Sequence, residues 1–161
     1  KPVKDDQILF EFIILESFQA GLSWYTILKK RENFRKAFAK FDVKKVSKFD
    51  EEKIEELVQN EGIIRHRGKI TAAINNAKLF IEIQKEHNSF SNFIWEYVHH
   101  QPIVNDWNSI KDVPATTEIS DQIAKDLKKR GFKFFGSTII YAHMQATGMV
   151  NDHTLDCFCR K

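Results

Sequence analysis

The sequence predicts an all-α domain with about seven or eight helices joined by short turns. Apolar residues recur along the chain at steps of three and four residues, and no run alternates convincingly with a period of two. The 161 residues are 42% hydrophobic and 29% charged, which is typical of a folded chain that buries a sizeable core. We therefore expect a single domain over residues 1–161, without internal repeats or a linker.

Two helices are predicted at the start of the chain. Residues 8–20 are nearly all apolar and are followed by Gly21, a pattern typical of a buried helix that ends at a glycine. Ser23 has the side chain of an N-cap, and the apolar residues after it extend the second predicted helix to Phe38.

The later elements follow from caps and periodicity. Asp50 is a predicted cap, because the two glutamates after it then lie in the first turn, where the helix dipole favours negative charge. Gly62 is predicted to end that helix as its C′ residue. The remaining predicted elements are an amphipathic helix through Ile70, Ile74, Ala77 and Ile81, an aromatic segment opened by Ser89 or Ser91, an irregular stretch over 99–117, a helix over 120–130 closed by Gly131, and a final helix over 138–146.

Composition limits the classes of partner and compartment. The net charge of +3 permits an anionic partner without requiring one. Cys157 and Cys159 are the only cysteines and lie too close together to staple the fold, so we expect a reducing compartment. No stretch is long and apolar enough to span a bilayer, and we expect no membrane partner.

Glu16 is a carboxylate within an apolar helical pattern. Leu9 and Ile13 precede it on one helical face, and Ala20 follows. Burial of a carboxylate is costly unless hydrogen-bond donors surround it. Glu16 therefore either lines a pocket and accepts hydrogen bonds from a ligand, or pairs with a basic side chain as an ordinary helix glutamate.

A tight corner is predicted directly after this helix, at Ala20, Gly21 and Leu22. Such a corner, with a bulky apolar residue on it, is suited to entering a base stack, and Trp24 is suited to stacking on an extruded base. The alternative is an ordinary Schellman-type turn in which Leu22 and Trp24 belong to the core.

A basic turn is predicted between the third and fourth helices. It is bracketed by two glycines and contains the residues Gly62, Arg65, His66, Arg67, Gly68 and Lys69. Main-chain N–H groups at the start of a helix, together with cations, suit a phosphate backbone. The pattern partly resembles a helix-hairpin-helix element, which grips one DNA strand without reading its sequence. The alternative is an ordinary helical turn with solvated cations.

A possible metal-binding pair lies near the end of the chain. His153 and Cys157 are spaced so that both can reach one zinc ion on a helical turn, although a structural zinc site normally needs four ligands. The alternative is a free thiol and a surface histidine.

Five blocks of sequence, taken in order, closely resemble the 3-methyladenine DNA glycosylase I family. They are LESFQAGLSW (15–24), ILKKRE (27–32), GIIRHRGKI (62–70), LKKRGFKF (127–134) and GMVNDH (148–153), the last together with Cys157. The resemblance spans almost the whole chain and is specific as a set.

The resemblance implies a helix-hairpin-helix glycosylase fold and release of 3-methyladenine from alkylated double-stranded DNA by a monomeric enzyme of the bacterial cytoplasm. It implies that Glu16 contacts the excised base, that Trp24 lies against it, that the Ala20–Leu22 corner approaches the DNA, and that the basic turn holds the backbone. It also implies structural zinc on His153 and Cys157. The family's other two zinc ligands lie in an N-terminal segment, and this sequence begins after that segment.

The implied chemistry gives Glu16 a specific role. Methylation at N3 makes adenine cationic and a good leaving group, so we assign Glu16, the candidate catalytic residue, to recognition of the base. No lysine is an evident Schiff-base nucleophile, and we expect base removal without strand cleavage. The alternatives are a non-catalytic helix-hairpin-helix DNA-binding module and a helical scaffold that binds no nucleic acid.

Overall fold

The computed structural model describes residues 2–19, 22–105 and 113–152, and this part of the chain is predominantly α-helical. Its elements are α1 (Asp6–Phe18), α2 (Trp24–Lys29), α3 (Arg31–Ala37), a 3-10 turn (Ala39–Phe41), α4 (Val43–Ser47), α5 (Glu51–Val58), α6 (Arg67–His87), α7 (Phe90–Glu96), β1 (Ile103–Val104), α8 (Glu118–Arg130), α9 (Ser137–Ala146) and β2 (Val150–Asn151). The all-α prediction is confirmed, with nine α-helices in the described residues.

Several predicted caps are present. Ser23 accepts a hydrogen bond from the Thr26 N–H at the start of α2, and Asp50 accepts one from the Lys53 N–H at the start of α5. Gly131 ends α8 in the left-handed conformation, with φ of 104°. These caps were predictable because each depends on residues only a few positions away.

The second predicted helix is wrong in its length. The backbone leaves helical geometry at Lys30, which has φ of −97° and ψ of 2°, so the segment divides into α2 and α3. Phe34 of α3 can then pack on Phe18 of α1, with ring centroids 5.0 Å apart.

The prediction that Gly62 ends α5 as a C′ residue is also wrong. The helix ends at Val58, and Gly62 lies in a turn in which its N–H donates to the Asn60 side chain at 2.8 Å. A Cβ atom at Gly62 would lie 3.0 Å from Cγ of Asn33. The residue is therefore small because α3 approaches it closely, and not because it has a left-handed backbone.

Helix α1 lies at the centre of the core. It packs against α6, α7 and α9, and its apolar residues from Leu9 to Phe18 are buried, apart from the half-buried Phe12. A helix that is apolar on every side is stable only when neighbours enclose it completely. Any polar side chain on its inner turns must therefore find a partner inside the protein.

A small parallel pair of strands ties the segment before residue 106 to the end of α9. Ile103 lies opposite Val150, and Val104 lies opposite Asn151. Residues 106–112, within the predicted irregular stretch, lie outside the described residues. Among the helices described here, none has the length and apolar character required to cross a membrane.

Candidate base-binding and DNA-binding site

Glu16 lies in the last turn of α1 and is almost completely buried. Its exposed fraction is 2%, and its Oε1 lies 2.9 Å from Nδ1 of His143 on α9. No other hydrogen bond reaches this carboxylate from the described residues. One carboxylate oxygen is thus fixed by the protein, and the other has no protein donor in this part of the chain.

Burial controls the charge of this carboxyl group. Desolvation raises the pKa of Glu16 above its ordinary value, and the neighbouring imidazole of His143 acts in the opposite direction. The net direction is upward, because one neutral or charged imidazole compensates only part of the lost hydration. Glu16 is therefore a carboxylate that responds strongly to any further donor or positive charge placed beside it.

Of the two alternatives for Glu16, the pairing with a basic side chain is observed, and the ligand pocket stays a prediction. The side chain pairs with a basic group, as an ordinary helix glutamate would, but that group is an imidazole and not a lysine or arginine. Glu11, on the same helix, shows the contrasting arrangement, because Arg31 and Arg35 both lie within ion-pair distance of it. Glu11 is neutralised by permanent cations, whereas the partner of Glu16 can be neutral.

The predicted corner follows the end of α1. The Leu22 N–H donates to the Gln19 carbonyl at 2.7 Å, and the Leu22 side chain is 39% exposed. Trp24 is the first residue of α2 and is half-buried against the core. Leu22 thus lies at the surface and not in the core, while Ala20 and Gly21 lie outside the described residues.

His66 organises the basic turn. Its Nδ1 accepts a hydrogen bond from the Lys69 N–H at 3.1 Å and so caps the start of α6. A Cβ atom at Gly68 would lie 3.0 Å from Cε1 of His66, so the glycine gives this ring its space. Fewer main-chain N–H groups are therefore available to a ligand than the sequence predicts. The N–H of Lys69, the third residue of α6, already donates to the His66 side chain.

The cations of the turn have three different environments. Arg65 is exposed and forms no ion pair with the described residues. Arg67 is exposed but pairs with Glu55 and, at 3.8 Å, with Glu51 of α5. Lys69 is 8% exposed, and its Nζ donates to the Phe18 carbonyl at 3.3 Å.

The expectation that the Lys69 side chain joins a solvent-facing basic patch is therefore corrected. Its ammonium group points into the protein and binds the C-terminal end of α1, where free carbonyl groups attract a cation. Burial lowers the pKa of Lys69. This contact joins the start of α6 to the end of the helix that contains Glu16.

Phe134 is a surface residue of this region that sequence reasoning did not select. It is 46% exposed, has φ of 57°, and its ring lies 6.0 Å from that of His66. The loop that presents it is fixed to α6, because Asn76 bonds both the N–H and the carbonyl of Lys133. The exposure of Phe134 depends on these long-range bonds, which no local pattern signals.

The candidate zinc ligands His153 and Cys157 lie outside the described residues. Within residues 2–19, 22–105 and 113–152, no group of three or more histidine, cysteine, aspartate or glutamate side chains is arranged to hold a metal ion.

Comparisons with known proteins agree on one family. A family model described as methyladenine glycosylase matches residues 1–160. DNA-3-methyladenine glycosylase 1 of Escherichia coli strain K12 is 51% identical over 158 residues, which cover 98% of this chain and 84% of that protein. A crystal structure of a 3-methyladenine DNA glycosylase I superposes with a TM-score of 0.96 at 51% identity, covering 99% of this chain and 88% of the other.

A more distant solved structure contains the base itself. It is a variant of 3-methyladenine DNA glycosylase I in complex with 3-methyladenine, and it is 35% identical to this chain. Its TM-score is 0.96, and the match covers 100% of this chain and 87% of that structure. The resemblance drawn from the sequence blocks is thereby confirmed.

The inward position of Lys69 leads to a stability prediction. Lys69→Ala should lower the free energy of unfolding by about 2 kcal/mol, because it removes buried methylene groups and the donor to the Phe18 carbonyl. Arg65→Ala, a matched loss of one cation four residues away, should change it by less than about 0.5 kcal/mol. Urea denaturation followed by circular dichroism measures both values. Equal stability of the two variants would contradict the buried position of Lys69.

Proposed function

The chain belongs to the methyladenine glycosylase family, and on that premise we propose that it removes 3-methyladenine from alkylated double-stranded DNA by hydrolysing the N-glycosidic bond. One observation carries the proposal for this chain. His143 holds Oε1 of Glu16, and no described residue donates to Oε2. An oxygen in that state accepts a hydrogen bond from the N–H groups at the edge of an adenine ring.

The charge of the lesion matches this carboxylate. Methylation at N3 gives the adenine ring a positive charge, whereas an undamaged adenine is neutral. A carboxylate with little water around it attracts a cationic ring far more strongly than a neutral one. Stacking of that ring on Trp24 adds a cation–π attraction of about 1 kcal/mol. Discrimination against normal adenine then comes from charge more than from shape.

The same charge reduces what the enzyme must supply chemically. A cationic base leaves without prior protonation, and departure produces an oxocarbenium-like sugar of the kind that glycosidases stabilise. We assign Glu16 to recognition of the base in this step and to stabilisation of its positive charge. The nucleotide must first leave the duplex, at a cost of a few kcal/mol that is lower for a damaged pair.

The DNA-binding surface in this proposal is the start of α6 with the loop before α9. Arg65 is a cation without a protein partner in the described residues, and it supplies a phosphate contact. His66 and Gly68 shape the turn, and the exposed Phe134 lies beside them. Leu22 is the exposed apolar residue of the corner next to Glu16, suited to filling the space that an extruded base leaves.

The proposed reaction stops at base removal. A lyase step needs a lysine amine that reaches the sugar as a nucleophile. Lys69 has its pKa lowered by burial, but its Nζ is bonded to the Phe18 carbonyl. The DNA product is therefore an intact strand with an abasic site. We place the protein in the cytoplasm, because its relatives include a bacterial DNA glycosylase, and we expect a monomer.

Glu16→Gln tests the assignment of the base-binding carboxylate. The variant should lose at least about tenfold in kcat/KM for release of 3-methyladenine, because it removes a charge-assisted interaction. Its affinity for duplex DNA should stay within about twofold of the wild type. Release is measured by chromatography of the bases freed from methylated DNA, after subtraction of release without enzyme.

Glu11→Gln is the matched control, because Glu11 is a buried carboxylate of the same helix that binds arginines. It should retain excision once its folding is verified by thermal melting. Wild-type rates in Glu16→Gln would contradict the role of Glu16. Failure of the wild-type protein to release any base would instead indicate a DNA-binding module without catalysis.

Arg65→Ala tests the phosphate contact. Its DNA affinity should fall several-fold at low salt, and the slope of log K against log salt should decrease by about one, as expected for loss of one phosphate contact. Lys85→Ala removes an exposed cation at the other end of α6, roughly 27 Å away at 1.5 Å per residue, and should leave both quantities unchanged. Fluorescence anisotropy with a labelled duplex measures the effect. Identical curves for the two variants would remove the turn from the binding surface.

We also propose that His153 and Cys157 contribute two ligands to a structural zinc ion. Support comes from their donor chemistry, an imidazole and a thiolate four residues apart, and from the family resemblance. Elemental analysis of the dialysed protein should show bound zinc, and the zinc content should be lower in the Cys157→Ala variant. Cys159→Ala, a loss of the neighbouring thiol, should retain it. Equal zinc content in the two variants would contradict the assignment of Cys157.

A further inference from the structure

His143 is a buried histidine for which the sequence suggests no role. It lies on α9 with 1% of its surface exposed, and its Nδ1 contacts Glu16 at 2.9 Å. The ring of Phe135 packs against it edge-on, with centroids 5.8 Å apart. The imidazole is thus held in place on one side by an aromatic ring and on the other by a carboxylate.

The hydrogen bond determines how the pair is protonated. Two atoms that both carry lone pairs do not approach to 2.9 Å without a proton between them. When Glu16 is ionised, that proton belongs to Nδ1, and the remaining nitrogen, Nε2, is the unprotonated one. Nε2 is buried and has no hydrogen-bond partner among the described residues. A second proton on Nε2 would therefore bury an N–H group without an acceptor, which favours the neutral imidazole.

Charged groups on the neighbouring elements have partners of their own. They lie on the elements that pack around α9 and α1, and each has its own partner: Asp121 of α8 with Ser137, Asp152 after β2 with Tyr141, Glu11 of α1 with Arg31, and Lys69 of α6 with Phe18. Within the described residues, His143 is therefore the titratable group that contacts Glu16 directly.

We propose, on the basis of the proposed function, that His143 is a positioning residue for Glu16. Its neutral imidazole directs the ionised carboxylate toward the cationic base, and uptake of one further proton by the pair prevents base binding. When the Glu16–His143 pair carries a net charge of −1, it neutralises the positive charge of the bound base. When the pair has no net charge, the cationic base would be buried without a counter-charge, which is strongly unfavourable. Excision should therefore decline as the pH falls.

Two groups can accept the additional proton, and this predicts the effect of removing one. The apparent pKa of a coupled pair reflects proton binding at either site, so it exceeds the value of each site alone. His143→Asn retains an N–H donor close to the position of Nδ1 but has no basic nitrogen. His143→Phe retains a ring but no donor, so that burial acts unopposed and raises the pKa of Glu16 further.

The test is the pH dependence of single-turnover excision between pH 5 and 8 for the wild type and these two variants. Release of 3-methyladenine without enzyme is subtracted at each pH. The midpoint of the acidic decline in His143→Asn should lie below that of the wild type, because only one site remains to take up the proton. The midpoint of His143→Phe should lie above that of His143→Asn. Thermal melting verifies that all three proteins are folded over this range.

Each comparison has an outcome that overturns the proposal. A profile of His143→Asn that overlays the wild type means that the imidazole does not take up the proton. Identical profiles for His143→Asn and His143→Phe mean that the donor does not act on Glu16. A merely structural role for His143 changes melting temperatures but leaves all three midpoints equal.

A separate measurement distinguishes failure of this inference from failure of the proposed function. Nitrogen NMR of histidine-labelled protein should identify Nδ1 as the protonated nitrogen of His143 in the wild type, and this preference should be lost in Glu16→Leu, which has no acceptor at this position. If the wild type releases no 3-methyladenine, the proposed function fails, and this spectrum still decides whether the pair exists. A protonated Nε2 with unprotonated Nδ1 in the wild type overturns the inference regardless of activity.

Discussion

The enclosure of the last two turns of α1 is the constraint on which the rest of the structure depends. Every residue from Ile13 to Phe18 is buried, and α6, α7 and α9 pack around this helix. Because neighbours enclose these turns, a polar side chain on them can bond only with the residues packed around it. Glu11 is satisfied by arginines at the edge of the core, and Glu16 by His143 inside it. A carboxylate with strongly reduced hydration thus arises from helix packing, before any ligand is considered.

The same packing joins the proposed base site to the proposed DNA surface. Lys69 binds the last turn of α1 through the Phe18 carbonyl, while its own N–H is capped by His66 at the start of α6. His66 in turn contacts Phe134, whose loop is fixed to α6 through Asn76. A phosphate held at the turn therefore has a defined distance from Glu16, as positioning of a reacting group requires.

The sequence predicted what depends on near neighbours and missed what depends on distant ones. The caps at Ser23 and Asp50 and the glycine end at Gly131 were predictable, since each acts within one helical turn. The break at Lys30 and the inward direction of Lys69 result from packing against α1, which no local pattern encodes. One signal was available for His143, because it lies among Ile140 and the other apolar residues of α9, where a buried imidazole needs a partner.

The two buried carboxylates of α1 show why the identity of the partner matters more than burial alone. Arginine remains charged at every accessible pH, so Glu11 has its charge cancelled permanently. An imidazole can donate a hydrogen bond while remaining neutral, so the proposed arrangement orients Glu16 without neutralising it. Only the second arrangement leaves negative charge for an incoming cation. If the proposed function is correct, selectivity for a methylated purine depends on a histidine at position 143 that remains uncharged when the base binds.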